Sequence, residues 1–490
     1  MTLGDAFDRT AARAGARLAV REAGRDVRYA DLLAWSQTIS RRLAPLCPQP
    51  GQRVGLMAPN SAAFVAGFFG IVRLGGVVAP LNVRYRSQEL RYYLEDSEAA
   101  ALIVTAETRE PAEEALAQLA QPPALLEVEE RGDVRLVSAG GAAAVPAAVS
   151  DSPPLLQQYT SGSTGAPKRV IRTHAQLLYE LERLAQAFSL GEADRFLGAA
   201  PFSHVNGLVR TMLTSMFVGA SLHPVPEFKR REVLRLITRE RLTFFGGVPY
   251  MFVVLADTAV RDEVSLQSLR TAFSSSAPLL LDDNRRFHAR WGLHVRQLYG
   301  STETGTICAN LHPRVDECLE SVGQALPGVR VAIVDEQGRA LPLGEEGEVA
   351  IASPAAIQAY DGNPAATAAS FRDGCYLSGD LGRMDPDGNL TLTGRKKFLI
   401  NRGGFKVNPL EVEHAIQSHP KVREVVVLGA PGLHGDEVVR CVVVTSAPCT
   451  PEEIVGHCRE RIADFKIPSR VEFRDALPKS ETGKILRHKL

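Results

Sequence analysis

The chain has 490 residues, enough for two or more domains and a large buried core. Hydrophobic residues make up 45% and charged residues 23%, the balance of a folded globular protein rather than a disordered one. Fifty-six basic residues balance 56 acidic ones, so net charge gives no reason to expect nucleic acid or an anionic membrane as main partner. The seven cysteines are scattered without a CxxC pair, and the eleven histidines show no HxxxH or HExxH spacing. This argues against a disulfide framework or a protein-ligated zinc and fits a cytoplasmic protein.

The first residues, MTLGDAFDRTAARAG, carry early acids and no apolar core, unlike a signal peptide. The greasiest stretch, Ala62 to Leu81, is broken by Arg73, Gly75 and Gly76, and reads as a buried helix running into a strand. RVGLMAP, Arg53 to Pro59, is strand-like. Helical spacing follows over Ser61 to Leu74, then a strand over Gly76 to Asn82. A helix over RSQELRYYLEDSEA and a strand over Ala101 to Ala106 complete the series. This alternation predicts βαβ units and a mostly parallel, buried sheet. Residues 107 to 150, rich in Ala, Glu, Pro and Gly, predict a surface excursion.

Next comes YTSGSTGAPKRV, Tyr159 to Val170, with two glycines, four Ser and Thr hydroxyls and one lysine. Its flanks, LLQQYT and RVIRT, are strand-like. Thr173 and Gln176 then fit a capping box before a helix with Leu177, Leu181, Leu184 and Phe188 on one face. A loop between two strands inside a folded core is not a linker. Glycines at 162 and 165 allow a nest of inward N–H groups. Thr160, Ser161, Ser163 and Thr164 add hydroxyls, and Lys168 a charge, which suits phosphate oxygens. Read alone, the loop is equally compatible with an ordinary turn.

The alternation resumes to about residue 310. VRVAIVDEQGRALPLGEEGEVAIAS then reads as short antiparallel strands with Gly-rich turns. After Gly394 the charge run Arg395-Lys396-Lys397 leads into a small α+β pattern, with strands in VREVVVLGA and VVRCVVVTS and helices near PLEVEHAIQSH and TPEEIVGHCRERIA. A boundary between 1–394 and 395–490 is expected.

The loop Thr160–Lys168 resembles the phosphate-binding signature of the adenylate-forming superfamily, which includes acyl-CoA synthetases, adenylation domains and beetle luciferases. Other signatures follow in order. Tyr299-Gly300-Ser301-Thr302-Glu303 is similar to the family's YGxTE. Ser378-Gly379-Asp380 resembles [ST]GD, and Gly394-Arg395-Lys396-Lys397 its hinge. Gly403-Gly404-Phe405-Lys406 resembles the C-terminal-domain signature, and Pro478 to Arg487 the terminal PxxxxGKIxR.

The resemblance implies a large N-terminal domain of βα-layered subdomains plus a small β-barrel, and a small mobile C-terminal domain. It implies that Tyr299 stacks on adenine, with Gly300 beside it. Thr302 contacts the α-phosphate and Glu303 holds Mg²⁺. Asp380 and Arg395 meet the ribose, Lys397 is the pivot, Gly403 and Gly404 come to line the thiol tunnel, and Lys484 is catalytic. The acyl pocket is implied in Pro201 to Gly207, Gly246 to Pro249 and Ser274 to Pro278, including Ser276, Ala277 and Pro278. His204 lies there beside the acyl carboxylate or the thiol path, or is a half-buried structural histidine.

Three departures matter. Arg169 replaces the usual glycine after Lys168. Ser275 and Ser276 stand where many members have glycines, which predicts a compact substrate. No acid occupies the segment that pairs an α-amino group, which disfavours an amino acid. Arg210, six residues past His204, either pairs a second carboxylate or lies on the surface, the plainer expectation.

The implied reaction activates a carboxylic acid with ATP, releasing pyrophosphate, and transfers the acyl group to CoA. The acid is expected to be aryl or short-to-medium chain. The alternatives are loading of a carrier protein's phosphopantetheine in trans, and a nucleotide-binding protein without catalysis. No nucleic acid or membrane partner is expected, and a homodimer is compatible.

Overall fold

The computed structural model describes all residues except 48, 130–131, 141–151, 161–166, 261–262, 403–404, 433–436, 481–482 and 484. Among the described residues the strands form five sheets.

The seven-stranded sheet has at its centre the apolar runs foreseen above. Arg53–Met57 pairs in parallel with Val77–Pro80 on one side and Ala101–Val104 on the other. The helix Ala62–Arg73 packs on this layer and is buried over Ala62–Val72, which explains its near-absence of polar residues. Ser61 caps it by accepting from Phe64 N at 3.2 Å.

The expected excursion over 107–150 is corrected in part. Ala106–Leu116 is a helix, and Ala124–Val128 is a fully buried strand that adds in parallel to Ala101–Val104. Five residues are too few for periodicity to show, and the prolines at 122 and 123 disguise the strand as a loop.

On the sheet's other side Pro154–Thr160 and Lys168–Thr173 run antiparallel, with Thr160 opposite Lys168. The Gly-rich loop is therefore the connection of a two-stranded ladder. Thr173 caps the following helix, His174–Ala187, through the reciprocal Thr173–Gln176 box, and Leu177, Leu181 and Leu184 are buried.

The nine-stranded sheet carries the second βα series. Its inner strands Arg195–Gly198, Phe244–Gly247, Thr271–Ser274 and Arg296–Ser301 are parallel neighbours in the order 195–198, 244–247, 271–274, 296–301. Their C-terminal ends converge, the place where open α/β sheets bind ligands. A π-helical segment, Asn206–Leu213, buried on all sides, crosses beside them.

Antiparallel strands Arg330–Val334, Gly347–Ala352, Cys375–Met384, Phe371–Arg372 and Leu390–Arg395 form the five-stranded unit. Beyond Arg395 come a small two-stranded sheet and the sheet Val422–Pro431, Glu437–Thr445, Arg470–Phe473, with helices Pro409–Gln417 and Pro451–Arg459. This last part has its own core of Val412, Ile416, Val427, Val439, Cys441 and Ile454. No helix among the described residues is long and apolar enough to cross a membrane.

Candidate active site

Three sequence motifs, spread over residues 299 to 395, meet in one hydrogen-bonded chain. The Tyr299 hydroxyl donates to Asp380 Oδ2 at 2.7 Å, and Arg395 Nε donates to Asp380 Oδ1 at 2.5 Å. Asp380 and Arg395 face each other because their strands are antiparallel neighbours in that register. Burial, helped by the Asp380 charge, holds the Tyr299 phenol well above its ordinary pKa. Burial works against the Arg395 charge, but the Asp380 carboxylate more than offsets it.

A second chain joins the Gly-rich loop to the YGSTE turn. The Tyr360 hydroxyl donates to Glu303 Oε1 at 3.0 Å, and Lys168 Nζ stands 4.5 Å from the centre of the Tyr360 ring. Glu303 is buried and held through its backbone oxygen by Ile357 N at 2.8 Å. Thr302 and Gly300 are partly exposed beside it. Tyr360 escaped the sequence reading, because YDGNP reads as a plain turn.

Arg169, the departure after Lys168, ties the far end of that loop. Its Nη1 donates to Asp96 O at 2.8 Å and its Nε lies 3.2 Å from Asp361 Oδ2, which also takes Arg53 Nη2 at 3.0 Å. Tyr159, before the loop, donates to the Asp96 carboxylate at 2.8 Å. Tyr159 and Arg169, one on each flank of the loop, thus share Asp96 as partner. Ser161, Gly162, Ser163, Thr164 and Gly165 lie outside the described residues, as do Gly403, Gly404 and Lys484.

The strand ends beside these chains are lined by polar atoms. Asn206 Nδ2 donates to Gly247 O at 3.1 Å, fixing the π-helical segment on the second sheet. Ser274 and Ser275 are buried, and their hydroxyls have no partner among the described residues. Ser276 is exposed and takes φ +75°, so only Ser275 of that pair lies inside. Ala277 is partly buried and Pro278 exposed at the same edge. His204 is half-buried, and burial pushes its imidazole below the ordinary value, favouring the neutral ring at pH 7. Arg210 corrects the plainer expectation: it is 1% exposed, not a surface residue.

Lys479 and Gly483 both approach Tyr250. Lys479 Nζ lies 5.0 Å from the Tyr250 ring centre. Gly483 has φ +71°, and a Cβ there would come within 2.6 Å of Tyr250 Cβ. Only glycine permits that turn at that approach. Tyr250 also borders a surface cavity lined by Lys229, Arg230, Arg231 and Arg235.

Two contacts join the antiparallel unit to the part beyond Arg395: Asn408 Nδ2 donates to Thr393 O at 2.7 Å, and Lys406 pairs with Glu336 at 3.1 Å. Lys397 is exposed, and partial desolvation together with Arg395 lowers its pKa.

The family model described as AMP-binding enzyme matches residues 7–361, and the model described as AMP-binding enzyme C-terminal domain matches 411–484. An oxalate–CoA ligase of Arabidopsis thaliana is 31% identical over 464 residues, covering 91% of this chain and 89% of that protein. A feruloyl-CoA synthase of Amycolatopsis sp is 32% identical over 486 residues, covering 96% and 94%. The crystal structure of ATP-bound MatB from Rhodopseudomonas palustris superposes with a TM-score of 0.89 at 30% identity, covering 100% of this chain and 98% of that one.

Proposed function

We infer that this chain, which belongs to the AMP-binding family of adenylate-forming enzymes, is an ATP-dependent, AMP-forming acyl-CoA ligase. The observation that carries the site assignment is the convergence of Tyr299, Asp380 and Arg395 in one chain beside Glu303, Tyr360 and Lys168.

In the first half-reaction the acid's carboxylate oxygen attacks the α-phosphorus of ATP. The bond to the bridging oxygen breaks, and pyrophosphate leaves. Asp380 accepts from the ribose hydroxyls, and Arg395 and Tyr299 hold that carboxylate in place. Tyr299 offers its ring to adenine. Charge grows on phosphoryl oxygens, so donors must already point at them. Thr302, Lys168 and the loop from Thr160 through Ser161, Gly162, Ser163, Thr164 and Gly165 take that role.

The Glu303 carboxylate is a hard oxygen donor oriented by Tyr360, which fits Mg²⁺. When bound there, the ion would neutralise phosphate charge. Lys484 bridges substrate carboxylate and phosphate, holding the reacting groups together.

In the second half-reaction the thiol sulfur attacks the acyl carbon, and AMP leaves with the bonding pair. We place the boundary between the two domains at 394/395, with Lys397 as pivot and the Gly403-Gly404 turn replacing Lys484 at the site. His204 lies by the acyl carboxylate or the thiol path.

The basic cavity beside Tyr250 supports CoA as acceptor, since Lys229, Arg230 and Arg231 suit its nucleotide phosphates. Two of the relatives are named for oxalate and ferulate and two others for long-chain fatty acids, so the compact substrate proposed here rests on Ser275 and not on the relatives. A cytoplasmic location is in keeping with the seven scattered cysteines and their lack of a CxxC pair.

Mass spectrometry of ATP, Mg²⁺, CoA and a panel of carboxylic acids tests the reading. AMP and acyl-CoA in equal amounts, without ADP, are expected. ADP with acyl phosphate, or no turnover of any acid while ATP still binds, would overturn it. Acyl-adenylate formation indifferent to CoA would move the acceptor to a carrier protein's phosphopantetheine.

A further inference from the structure

The π-helical segment Asn206–Leu213 holds a buried charge that its surroundings do not balance. Arg210 Nε donates to Thr306 Oγ1 at 3.1 Å. Thr306 in turn donates to Glu180 Oε1, from its hydroxyl at 2.7 Å and its backbone N–H at 2.8 Å. The other carboxylate oxygen of Glu180 lies 2.7 Å from Arg172 Nη1, and both side chains of that pair are 1% exposed. Two buried guanidinium groups thus share one carboxylate, and Arg172 holds it directly. One positive charge is left over. Burial pushes Arg210 down to about 10, still protonated at neutral pH.

Arg210 Nη2 has no hydrogen-bond partner among the described residues. A buried donor left bare costs about 1–3 kcal/mol, and more when charged. Such an atom calls for an acceptor from outside the chain, and a bound substrate supplies one.

The bare nitrogen is aimed at the reaction centre. A Cβ on Gly300 would lie 2.5 Å from Arg210 Nη2, so glycine is what lets the guanidinium reach this strand. Gly300 directly follows Tyr299 and stands two residues before Thr302. The segment also borders the neighbouring strand ends: a Cβ on Gly246 would lie 3.2 Å from Thr211 Oγ1, and Gly247, which binds Asn206, is opposite Ser274. There the Ser274 and Ser275 hydroxyls are also unpartnered. The wall is rich in donors and carries an unpaired cation.

We propose that Arg210 binds a second carboxylate on the substrate, and that the enzyme activates dicarboxylic acids. This rests on the acyl-CoA ligase reading above. The reacting carboxylate must sit by Thr302 and Glu303. Thr302 stands two residues from Gly300, in the turn that follows the strand Arg296–Ser301. Arg210 and the reacting carboxylate therefore border the same short segment, which one small dicarboxylic acid can span. A planar guanidinium pairs a carboxylate in two parallel hydrogen bonds, which a lysine cannot do. A site with a buried unpaired cation rejects an acid that ends in methyl, because the donor then stays bare.

The test is pyrophosphate release by the full chain with matched pairs: glutarate against pentanoate, adipate against hexanoate, terephthalate against benzoate. The expected kcat/KM favours a diacid over its partner by at least about a hundredfold. In Arg210→Met that ratio collapses toward one, and Arg210→Lys retains part of it. A wild-type enzyme that releases pyrophosphate with monocarboxylic acids as fast as with their diacid partners overturns this inference and leaves the ligase reading standing. So does an unchanged ratio in Arg210→Met. Absence of release with every acid overturns both. The wild-type comparison decides the matter even if Arg210→Met does not fold.

Discussion

Tyr299 and Asp380 lie 81 positions apart, yet the tyrosine hydroxyl donates to the aspartate at 2.7 Å. The bond joins the second large sheet to the antiparallel unit, so the two layers share the wall that we propose binds the nucleotide. Asp380 accepts from Arg395 through its other oxygen. Its charge is therefore oriented before any ribose arrives.

Asp380→Ala should raise the KM for ATP at least tenfold, because a charge-assisted hydrogen bond is worth about 1.5–3 kcal/mol. Tyr299→Phe removes only the orienting donor and should cost less. Steady-state kinetics with ATP varied will check both. Equal effects from the two variants would contradict the assignment of ribose contact to Asp380.

Glu303 and Lys168 communicate through Tyr360. Glu303→Gln should lower the rate of pyrophosphate release roughly a hundredfold or more, and raise the Mg²⁺ concentration needed for half-maximal rate. Tyr360→Phe keeps the ring under Lys168 but frees Glu303 Oε1, so it should shift the Mg²⁺ dependence with little change in KM for the acid. Unchanged Mg²⁺ curves in both variants would remove Glu303 from the metal site.

Ser276 sits at φ +75°, a backbone region costly for a residue with a Cβ. Its side chain is exposed, so little packing is at stake. Ser276→Gly should stabilise the protein by about 1 kcal/mol. Thermal unfolding followed by circular dichroism checks this. An unchanged or lower midpoint contradicts it.

His223 is buried on the strand Ser221–Pro224, and burial pushes its imidazole down to about 4. Glu240 and Asp26 pull it up, while Arg21 and Arg195 push it further down. In the unfolded chain the group titrates near pH 6.5. Between those values the unfolded state binds the extra proton, so stability falls as pH drops from about 6.5 to about 4. The loss is bounded at roughly 3 kcal/mol, at about 1.4 kcal/mol per pKa unit. His223→Gln should flatten the unfolding midpoint over that window. Parallel pH profiles for the two proteins would contradict the account.

Much of the site was legible because its residues fall in short motifs at strand ends, where backbone geometry limits what can sit. The Thr160–Lys168 ladder, the Thr173 cap and the order of βα units follow from local pattern alone. Other features need the third dimension. Tyr360 looks like part of a turn until the antiparallel unit folds back onto Glu303. Arg210 has polar neighbours at 206 and 211, which suggests a wet helix face. Leu208, Val209, Met212 and Leu213 on its other sides were the signal of complete burial. The strand Ala124–Val128 was hidden by alanine and proline around it, since burial, not alternation, makes it a strand.

The central claim is that this site makes an acyl-adenylate with Lys484 holding the two reactants. The most direct test separates the half-reactions in Lys484→Ala. The account predicts that acid-dependent pyrophosphate release falls by at least about a thousandfold. Acyl-adenylate supplied ready-made should still react with CoA at a rate near wild type, because Lys484 acts only before the adenylate forms. Pyrophosphate release at the wild-type rate in Lys484→Ala would contradict the account.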